Sequence, residues 1–134
     1  MMVCESDNVS TILISIKPEF VVSIMDGKKK YEFRKMVCKK SVDKIVIYST
    51  SPVSKVVGEA DVETVLIDTP DKIWQETKEQ AGINQQFFYK YYEGRTQAVA
   101  YKLSNVQAYS SPKLLKEYGL KCAPQSFCYL DFDC

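Results

Sequence analysis

The sequence predicts a mixed α+β domain: a small, mostly antiparallel β-barrel of five to six strands with three to four short helices. Three observations support this prediction. Short segments of strand and helix character alternate along the chain, and one long strand contains Gly58, which indicates a bulge or bend that lets a small sheet curl. The 134 residues, 46% hydrophobic and 26% charged, suit one hydrophobic core. We therefore expect a single domain over residues 1–134, with residues 1–10 as a loose N-terminal segment.

The first half of the chain contains four predicted elements. Alternating apolar residues indicate a strand over residues 11–16. Pro18 suits the first turn of a helix, and Gly27 is placed to end that helix. A strand rich in charge is predicted over residues 29–35. A strongly apolar strand follows over residues 43–50.

The second half continues the alternation. Thr69 is the expected N-cap of a helix whose first position is Pro70. The predicted elements are a strand over 55–67, helices over 70–80 and 84–92, a strand over 96–109, a helix that Pro112 opens and that ends near residue 118, and a strand over 127–132.

Composition excludes several classes of function. The net charge is +1, so no overall positive field attracts nucleic acid. The chain has no histidine, which removes Ser-His and Cys-His nucleophile pairs and histidine-ligated metals. Any catalysis must therefore use Lys, Glu, Asp, Tyr, Cys or backbone groups, and we expect neither a metal nor a cofactor.

The cysteines and the N-terminal residues indicate a cellular compartment. Five cysteines form no C-x-x-C pair, and without histidine they complete no zinc site. The first ten residues lack the features of a secretory signal, and no apolar run approaches membrane-spanning length. We therefore expect a cytoplasmic protein with free thiols and no membrane partner.

Residues 27–34, Gly-Lys-Lys-Lys-Tyr-Glu-Phe-Arg, carry the strongest functional signal. Tyr31 and Phe33 alternate with Glu32 and Arg34, so a strand here has an aromatic face and a charged face. We predict that the aromatic pair packs into the barrel or under its helices, while the charged pair lines a cleft. The alternative is that Glu32 and Arg34 only brace the mouth of the barrel.

Four more residues are candidates for the same cleft. Lys29 joins Glu32 and Arg34 only if the chain turns directly after Gly27. Lys17 lies between a strand end and Pro18 and can reach the cleft. Ser49 and Thr50 end the apolar strand and offer hydroxyl groups, although they serve equally well as turn residues.

The surrounding segment is basic. Between residues 26 and 44, eight basic residues oppose three acidic ones, a net charge of about +5. Such a patch is compatible with phosphate contact, and also with a solvated loop. The candidate phosphate contacts are Lys28, Lys30, Lys35, Lys39 and Lys40.

Ordered sequence blocks add a resemblance to a known family. The blocks are S-I-K-P-E-F, then G-x-K-x-x-E-x-R, then I-Y-S-T-S-P-V-S-K-V-V-G-E at residues 47–59 and P-Q-S-F near the end. Over residues 12–131 the chain resembles the ASCH domain, the activating-signal-cointegrator homology domain of the PUA-like superfamily. The resemblance implies a small β-barrel with helices across its ends and a cleft lined by the motif. It also implies a nucleic-acid (RNA) or modified-nucleotide binding module.

One branch of that family implies an alternative, a metal-independent amidohydrolase that removes the acetyl group from acetylcytidine. Lys29 matches the branch's catalytic lysine, whereas Glu32 stands where the branch has a threonine. A second glutamate of the branch aligns near Ala81, with Glu76 and Glu79 close by. An enzyme on this pattern would use Lys29 with Glu32, in an arrangement different from that of the branch.

A cluster of aromatic residues admits two interpretations. Stacking platforms for nucleobases are one, and packing of a helix on the barrel is the other and the favoured one. Helical spacing pairs Phe87 with Tyr91 and Phe88 with Tyr92.

Overall fold

The structure, a computed structural model, describes residues 9–130. Six strands form one sheet that curls into a half-barrel, with helices against it. The strands are β1 (Val9–Ile16), β2 (Tyr31–Arg34), β3 (Ser41–Ser49), β4 (Lys55–Asp68), β5 (Ala98–Lys113) and β6 (Phe127–Tyr129). The helices are α1 (Pro18–Met25), α2 (Pro70–Thr77) and α3 (Gln85–Tyr91), with 3₁₀ turns at Lys78–Gln80 and Leu115–Tyr118.

The strand order leaves the barrel open along one seam. The order is β2-β5-β4-β3-β1-β6, so β2 and β6 are the two edges. Only β1 and β3 pair in parallel, and the other pairs are antiparallel. The predicted α+β class with a mostly antiparallel, curled sheet is therefore confirmed.

The expected bend at Gly58 is present in β4. Gly58 pairs with Ile47 on one side and Ala108 on the other, and the register shifts next to both pairings. A side chain at this position would collide with the carbonyl oxygen of Gln107 and lie 2.6 Å from Cε of Met25. A residue without Cβ is thus required where the two strands approach, and the register shifts accompany the curl of the sheet.

Two apolar clusters hold together the strands and helices that surround the candidate functional site. One fills the half-barrel and includes Ile12, Ile47 and Tyr101. The other lies between the β2–β5 edge and helices α2 and α3, and its members include Tyr31, Phe33, Trp74, Phe88 and Tyr92. Burial of each large aromatic side chain in this second cluster is worth roughly 2–3 kcal/mol, so it holds the helices on the edge strand β2.

Several predicted boundaries were wrong. Residues 9 and 10 are not part of a loose segment, because they pair with Ser41 and Val42 in the sheet. Pro112 opens no helix. It lies near the end of β5, where a missing N–H is tolerated, and a 3₁₀ turn follows. The charged strand begins at Tyr31, and the helix expected over 70–80 ends at Thr77 before its 3₁₀ turn.

The ends of the chain lie outside the described residues. The predictions for residues 1–8 and for residues 131–132 of the last strand therefore have no counterpart here. Within residues 9–130, no helix has the length and apolar character needed to cross a membrane.

Candidate functional site

A cavity of about 180 Å³ lies where α1, β2 and α3 meet the open seam of the half-barrel. We call it the motif cavity, because three residues of the sequence motif line it. Its lining consists of Ser15, Ile16, Lys17, Phe20, Lys29, Glu32, Phe33, Arg34, Ile83, Phe87 and Tyr91. The four charged side chains expected in one cleft, Lys17, Lys29, Glu32 and Arg34, are therefore brought together.

The turn after Gly27 brings Lys29 to the cavity. Gly27 has a φ of +80°, in the left-handed region that favours glycine, and it follows the last turn of α1. The N–H groups of Lys28 and Lys29 both donate to the carbonyl of Ser23 at 3.0 Å, so the chain folds back on the helix end. The strand then starts at Tyr31, as the placement of Lys29 required.

Lys29 is a buried cation with a neutral partner. Only 3% of the residue is exposed, and Nζ donates a hydrogen bond of 3.1 Å to the carbonyl of Ala81. Nζ also lies 4.7 Å from the ring centroid of Phe33 and 5.3 Å from that of Phe20. Burial lowers the pKa of Lys29 to about 8, which the charge of Glu32 opposes and that of Arg34 reinforces. A substantial neutral fraction of this amine therefore exists near pH 8.

Gly82 shapes the wall behind Lys29. Its φ is +70°, and a Cβ there would collide with Cβ of Lys29 and lie 2.6 Å from its Cγ. The main chain of residues 81–82 can thus pack directly on the lysine stem only because this residue has no side chain. That packing sets the distance between Nζ and the Ala81 carbonyl.

Glu32 and Arg34 form an ion pair across the cavity wall. Both Nε and Nη2 of Arg34 donate to Oε2 of Glu32, at 3.0 and 2.7 Å. Nη2 also donates to the carbonyl of Ser15 on β1, and Nη1 to the hydroxyl of Ser126, each at 3.0 Å. Arg34 on the edge strand β2 therefore reaches across the open seam to β1 and to the residue that precedes β6. This agrees with the brace interpretation, and both side chains still line the cavity.

The predicted alternation along β2 is confirmed. Tyr31 and Phe33 are each 6% exposed and belong to the cluster under α2 and α3, whereas Glu32 and Arg34 line the cavity. Phe33 also has a position that the sequence did not predict: its ring forms part of the cavity surface beside Lys29.

The aromatic residues of α3 divide between two roles. Phe88 and Tyr92 are 0% and 2% exposed and pack on the sheet, as predicted. Packing was the wrong interpretation for Phe87, which is 40% exposed, lines the cavity and makes an edge contact with Phe20 at 5.4 Å. Tyr91 also lines the cavity, and its hydroxyl donates to the Phe33 carbonyl at 3.4 Å. The helical spacing that paired Phe87 with Tyr91 thus identifies the cavity face.

Ser49 and Thr50 do not line the motif cavity. Ser49 is 2% exposed and pairs with Ile16 at the end of the sheet. The N–H of Thr50 donates to the carbonyl of Ile16 at 3.0 Å, and its own carbonyl accepts from Val53. The alternative reading, that these are structural residues at a strand end, is the one that fits.

None of the five candidate phosphate contacts lines the motif cavity. Lys28, Lys30, Lys39 and Lys40 are exposed and line neither the motif cavity nor the cavities near it. Lys35 is different: it is partly buried, and its Nζ lies 4.8 Å from the ring centroid of Tyr91.

Sequence reasoning missed several residues of the site. Ile83 carries no signal that separates it from an ordinary core residue. Phe20 ends the S-I-K-P-E-F block, and Ser126, which accepts a hydrogen bond from Arg34, belongs to the P-Q-S-F block, so the resemblance could have suggested both. Stacking by Phe87 was one of two alternatives.

The carboxylate expected near Ala81 is not at the cavity. Ala81 is fully buried and presents its carbonyl to Lys29, while Glu76 and Glu79 are exposed and do not line the motif cavity. Among residues 9–130, no group of three or more Cys, Asp or Glu side chains is arranged to hold a metal ion. The motif cavity brings together two lysines, an arginine–glutamate pair and aromatic rings.

Comparison with known proteins gives a family and a set of relatives. The ASCH domain family matches residues 14–113. The large ribosomal subunit protein uL22 of Ureaplasma parvum is 35% identical over 127 residues, 94% of this chain and 41% of that protein. An ASCH domain-containing ribonuclease of Zymomonas mobilis is 33% identical over 96 residues, 71% of this chain and 65% of that protein. The chain thus spans less than two thirds of the length of either relative.

A solved structure agrees with the fold. The crystal structure of ASCH from Zymomonas mobilis superimposes with a TM-score of 0.81 at 30% identity, covering 90% of this chain and 87% of that one.

Proposed function

The chain belongs to the ASCH domain family, and from that premise we propose that it binds single-stranded RNA by holding one nucleotide in the motif cavity. The observation that carries the proposal is the combination of cations and aromatic rings in one small cavity. Lys29 and Arg34 supply positive charge, and Phe87 and Tyr91 supply ring surface. Phosphate and base need these two kinds of contact.

The charges of the cavity favour an anionic ligand. Arg34 donates four hydrogen bonds, to Glu32, Ser15 and Ser126. A guanidinium has about five N–H donors, so one remains for a ligand. Lys29 has a carbonyl rather than a carboxylate as its hydrogen-bond partner, so its charge is not neutralised locally. Exposed Lys17 stands at the rim. The exposed lysines 28, 30, 39 and 40 are proposed to contact flanking phosphates.

Direct binding measurements test this proposal. A fluorescently labelled single-stranded RNA is titrated with the native protein and with Phe87→Ala and Lys17→Ala, two substitutions at exposed positions that leave the core intact. Leu114→Ala and Lys55→Ala, at exposed positions outside the cavity, are the matched controls. We expect each cavity variant to lose about tenfold in affinity, and the controls to bind like the native protein.

Salt dependence supplies a second criterion. Because only a few phosphates are neutralised, the affinity should fall between about 50 and 200 mM salt with a shallow slope, about 0.7 per phosphate on logarithmic axes. Binding that is absent in the native protein, or insensitive to salt and to both cavity variants, contradicts the proposal. A cytoplasmic location, where RNA is available, is part of the same proposal.

A second candidate function is RNA cleavage, favoured by the lowered pKa of Lys29 and by the relative named as a ribonuclease. We propose that the neutral amine accepts the proton of a ribose 2′-hydroxyl. The 2′-oxygen then attacks the adjacent phosphorus, the bond from phosphorus to the 5′-oxygen breaks, and the departing oxygen takes a proton from water. The ammonium of Lys29 then returns its proton to the solvent. Arg34 stabilises the charge on the phosphoryl oxygens. The products are a 2′,3′-cyclic phosphate and a 5′-hydroxyl.

Product analysis separates cleavage from binding alone. RNA is incubated with the native protein, with Lys29→Met and with Lys55→Met, at an exposed position outside the cavity, and the ends of the fragments are identified by mass. Cleavage is expected to disappear in Lys29→Met and in a 2′-deoxy substrate, and to persist in Lys55→Met. Cleavage that survives in Lys29→Met rules out this role of the amine.

The amidohydrolase alternative has less support from the geometry. The place of the second glutamate is taken by the Ala81 carbonyl, and among residues 9–130 the carboxylate that acts on Lys29 is that of Glu32. The discriminating observation is turnover of acylated nucleosides that both Lys29→Ala and Glu32→Gln abolish.

A further inference from the structure

A second cavity adjoins the motif cavity and shares a wall with it. Its volume is about 320 Å³, and we call it the basic cavity. Arg34 and Tyr91 line both cavities, so these two side chains form the partition between them. The lining of the basic cavity also includes Lys35, Met36, Tyr101, Arg95, Ser126 and Phe127.

Among residues 9–130, the charges that line the basic cavity are of one sign. The charged lining residues there are the cations Arg34, Lys35 and Arg95. The motif cavity, by contrast, contains Glu32. Glu32 balances the charge of Arg34, so Lys35 and Arg95 supply the excess positive charge, which attracts an anion more strongly than a balanced site does.

Arg95 is available for such an anion. Its backbone N–H donates to the carbonyl of Tyr92 at 2.9 Å, but within residues 9–130 its side chain makes no hydrogen bond or ion pair. It is exposed, and it lies close enough to Tyr91 for its charge to act on that ring's hydroxyl. A guanidinium without an internal partner at the rim of a cationic cavity can bind a phosphate without breaking any contact of the fold.

The basic cavity also offers apolar ring surface. Tyr101 and Phe127 line it, and the Tyr101 hydroxyl is already bonded, to the N–H and the sulfur of Cys38 at 3.1 and 3.2 Å. Tyr101 is 2% exposed and forms only the floor of the cavity, so the accessible ring surface belongs to partly buried Phe127. Met36, 72% exposed, stands at the edge. Ring surface without free polar groups suits a stacked base whose identity is not read.

We propose, building on the proposed RNA binding, that the basic cavity is a second nucleotide subsite, so that the protein takes two consecutive nucleotides of one strand. One nucleotide lies in the motif cavity and its neighbour in the basic cavity. The phosphate that joins them passes over the shared wall, next to Arg34, and Arg95 and Lys35 contact the phosphate on the far side. The minimal ligand is then a dinucleotide rather than a free nucleotide.

Calorimetric titration with two small probes tests this assignment. The probes are uridine 5′-monophosphate and the dinucleotide UpU carrying a 5′-phosphate, together with a form of the dinucleotide whose linkage is an uncharged methylphosphonate. We expect the dinucleotide to bind the native protein about tenfold more tightly than the monophosphate, and the uncharged linkage to remove most of that gain.

Arg95→Met is the decisive variant, and Lys90→Met, at an exposed position on the neighbouring helix, is its control. Arg95→Met should bring dinucleotide affinity down to that of the monophosphate and leave monophosphate binding unchanged, whereas Lys90→Met should change neither. Equal affinity of the native protein for the two probes overturns the second subsite while RNA binding in the motif cavity stands. Failure of both probes to bind removes the proposed function and this inference together.

Discussion

Two ion pairs of similar length occupy different surroundings in this fold. Arg34 and Glu32 approach to 2.7 Å with side chains 17% and 8% exposed, while Lys44 and Glu59 approach to 2.9 Å with side chains 39% and 26% exposed. The surface pair joins neighbouring strands β3 and β4, and the cavity pair lies at the open seam. Length alone therefore does not distinguish a pair in water from one at the candidate site.

The difference lies in what surrounds each pair. At the surface, the hydrogen bond between the partners raises the pKa of Lys44 and lowers that of Glu59, and Tyr109 donates a further bond to Glu59 at 2.9 Å. In the cavity, the additional cation Lys29 has no carboxylate of its own, and burial lowers its pKa. At the surface, the charges of Lys44 and Glu59 balance each other. In the motif cavity, the hydrogen-bond partner of Lys29 is a carbonyl, so the positive charge of Lys29 is not balanced by its partner.

Removing one partner of the cavity pair should give the largest effect. Arg34→Met leaves Glu32 buried without its cation, so we expect the free energy of unfolding to fall by about 3–5 kcal/mol in urea denaturation. The double variant Glu32→Gln, Arg34→Met should recover most of this loss, because no unpaired charge remains. A loss below about 1 kcal/mol in the single variant would mean that water reaches Glu32 freely.

The second largest loss of stability is expected from a methyl group added behind Lys29. Gly82→Ala has both a φ of +70° and a collision with the lysine stem, whereas Gly119→Ala has a φ of +77° with no atom within 4 Å. The backbone strain, about 1–2 kcal/mol, is common to both, and the collision adds roughly 1–3 kcal/mol at Gly82 alone. Thermal unfolding of the two variants measures the difference, and equal losses would contradict the close packing.

Replacing Lys29 should stabilise the protein. The drop from the ordinary pKa of 10.5 to about 8 corresponds to roughly 3 kcal/mol of cost to the charged form, against about 1 kcal/mol for the lost hydrogen bond to Ala81. We expect Lys29→Met to raise the free energy of unfolding by about 1–2 kcal/mol at pH 7.

The pH dependence of that gain has a fixed sign. Between about pH 8 and 10.5 the unfolded chain binds more protons at Lys29 than the native state does, so native stability rises with pH. The advantage of Lys29→Met should therefore shrink across this window in parallel urea titrations. A variant that is less stable than the native protein at pH 7 would show that Lys29 contributes to folding rather than to the site.

The surface pair should give the smallest effect. Glu59→Gln is expected to cost less than about 1 kcal/mol, because the partners are partly solvated and salt screens them. The pKa of Glu59 is lowered from 4.5, so its contribution is present above that pH and is lost as the pH falls through the lowered value. Urea denaturation at low and high salt checks this, and a loss comparable to that of Arg34→Met would remove the contrast between the pairs.

The sequence predicted the fold class, the family and the alternation along β2, because local periodicity and the motif determine these directly. It also predicted that Lys29 needs a turn after Gly27, which is present. It could not tell which aromatic residues of α3 line the cavity and which pack on the sheet. Phe87 and Phe88 are the same residue type, and their roles depend on which part of the fold each face of the helix contacts. Nor could it exclude Ser49, whose burial depends on pairing with Ile16, a contact between distant parts of the chain.

The hydrogen bond from Lys29 to the Ala81 carbonyl affects how the protonation of Lys29 changes when a ligand binds. A carbonyl cannot change its charge, so the protonation of Lys29 responds to whatever else enters the motif cavity. An anion bound beside the amine raises its pKa above about 8, and binding near or above that pH then draws a proton from the buffer. The heat of binding should accordingly vary with the ionisation enthalpy of the buffer, and the affinity for anions should weaken as the solution becomes alkaline.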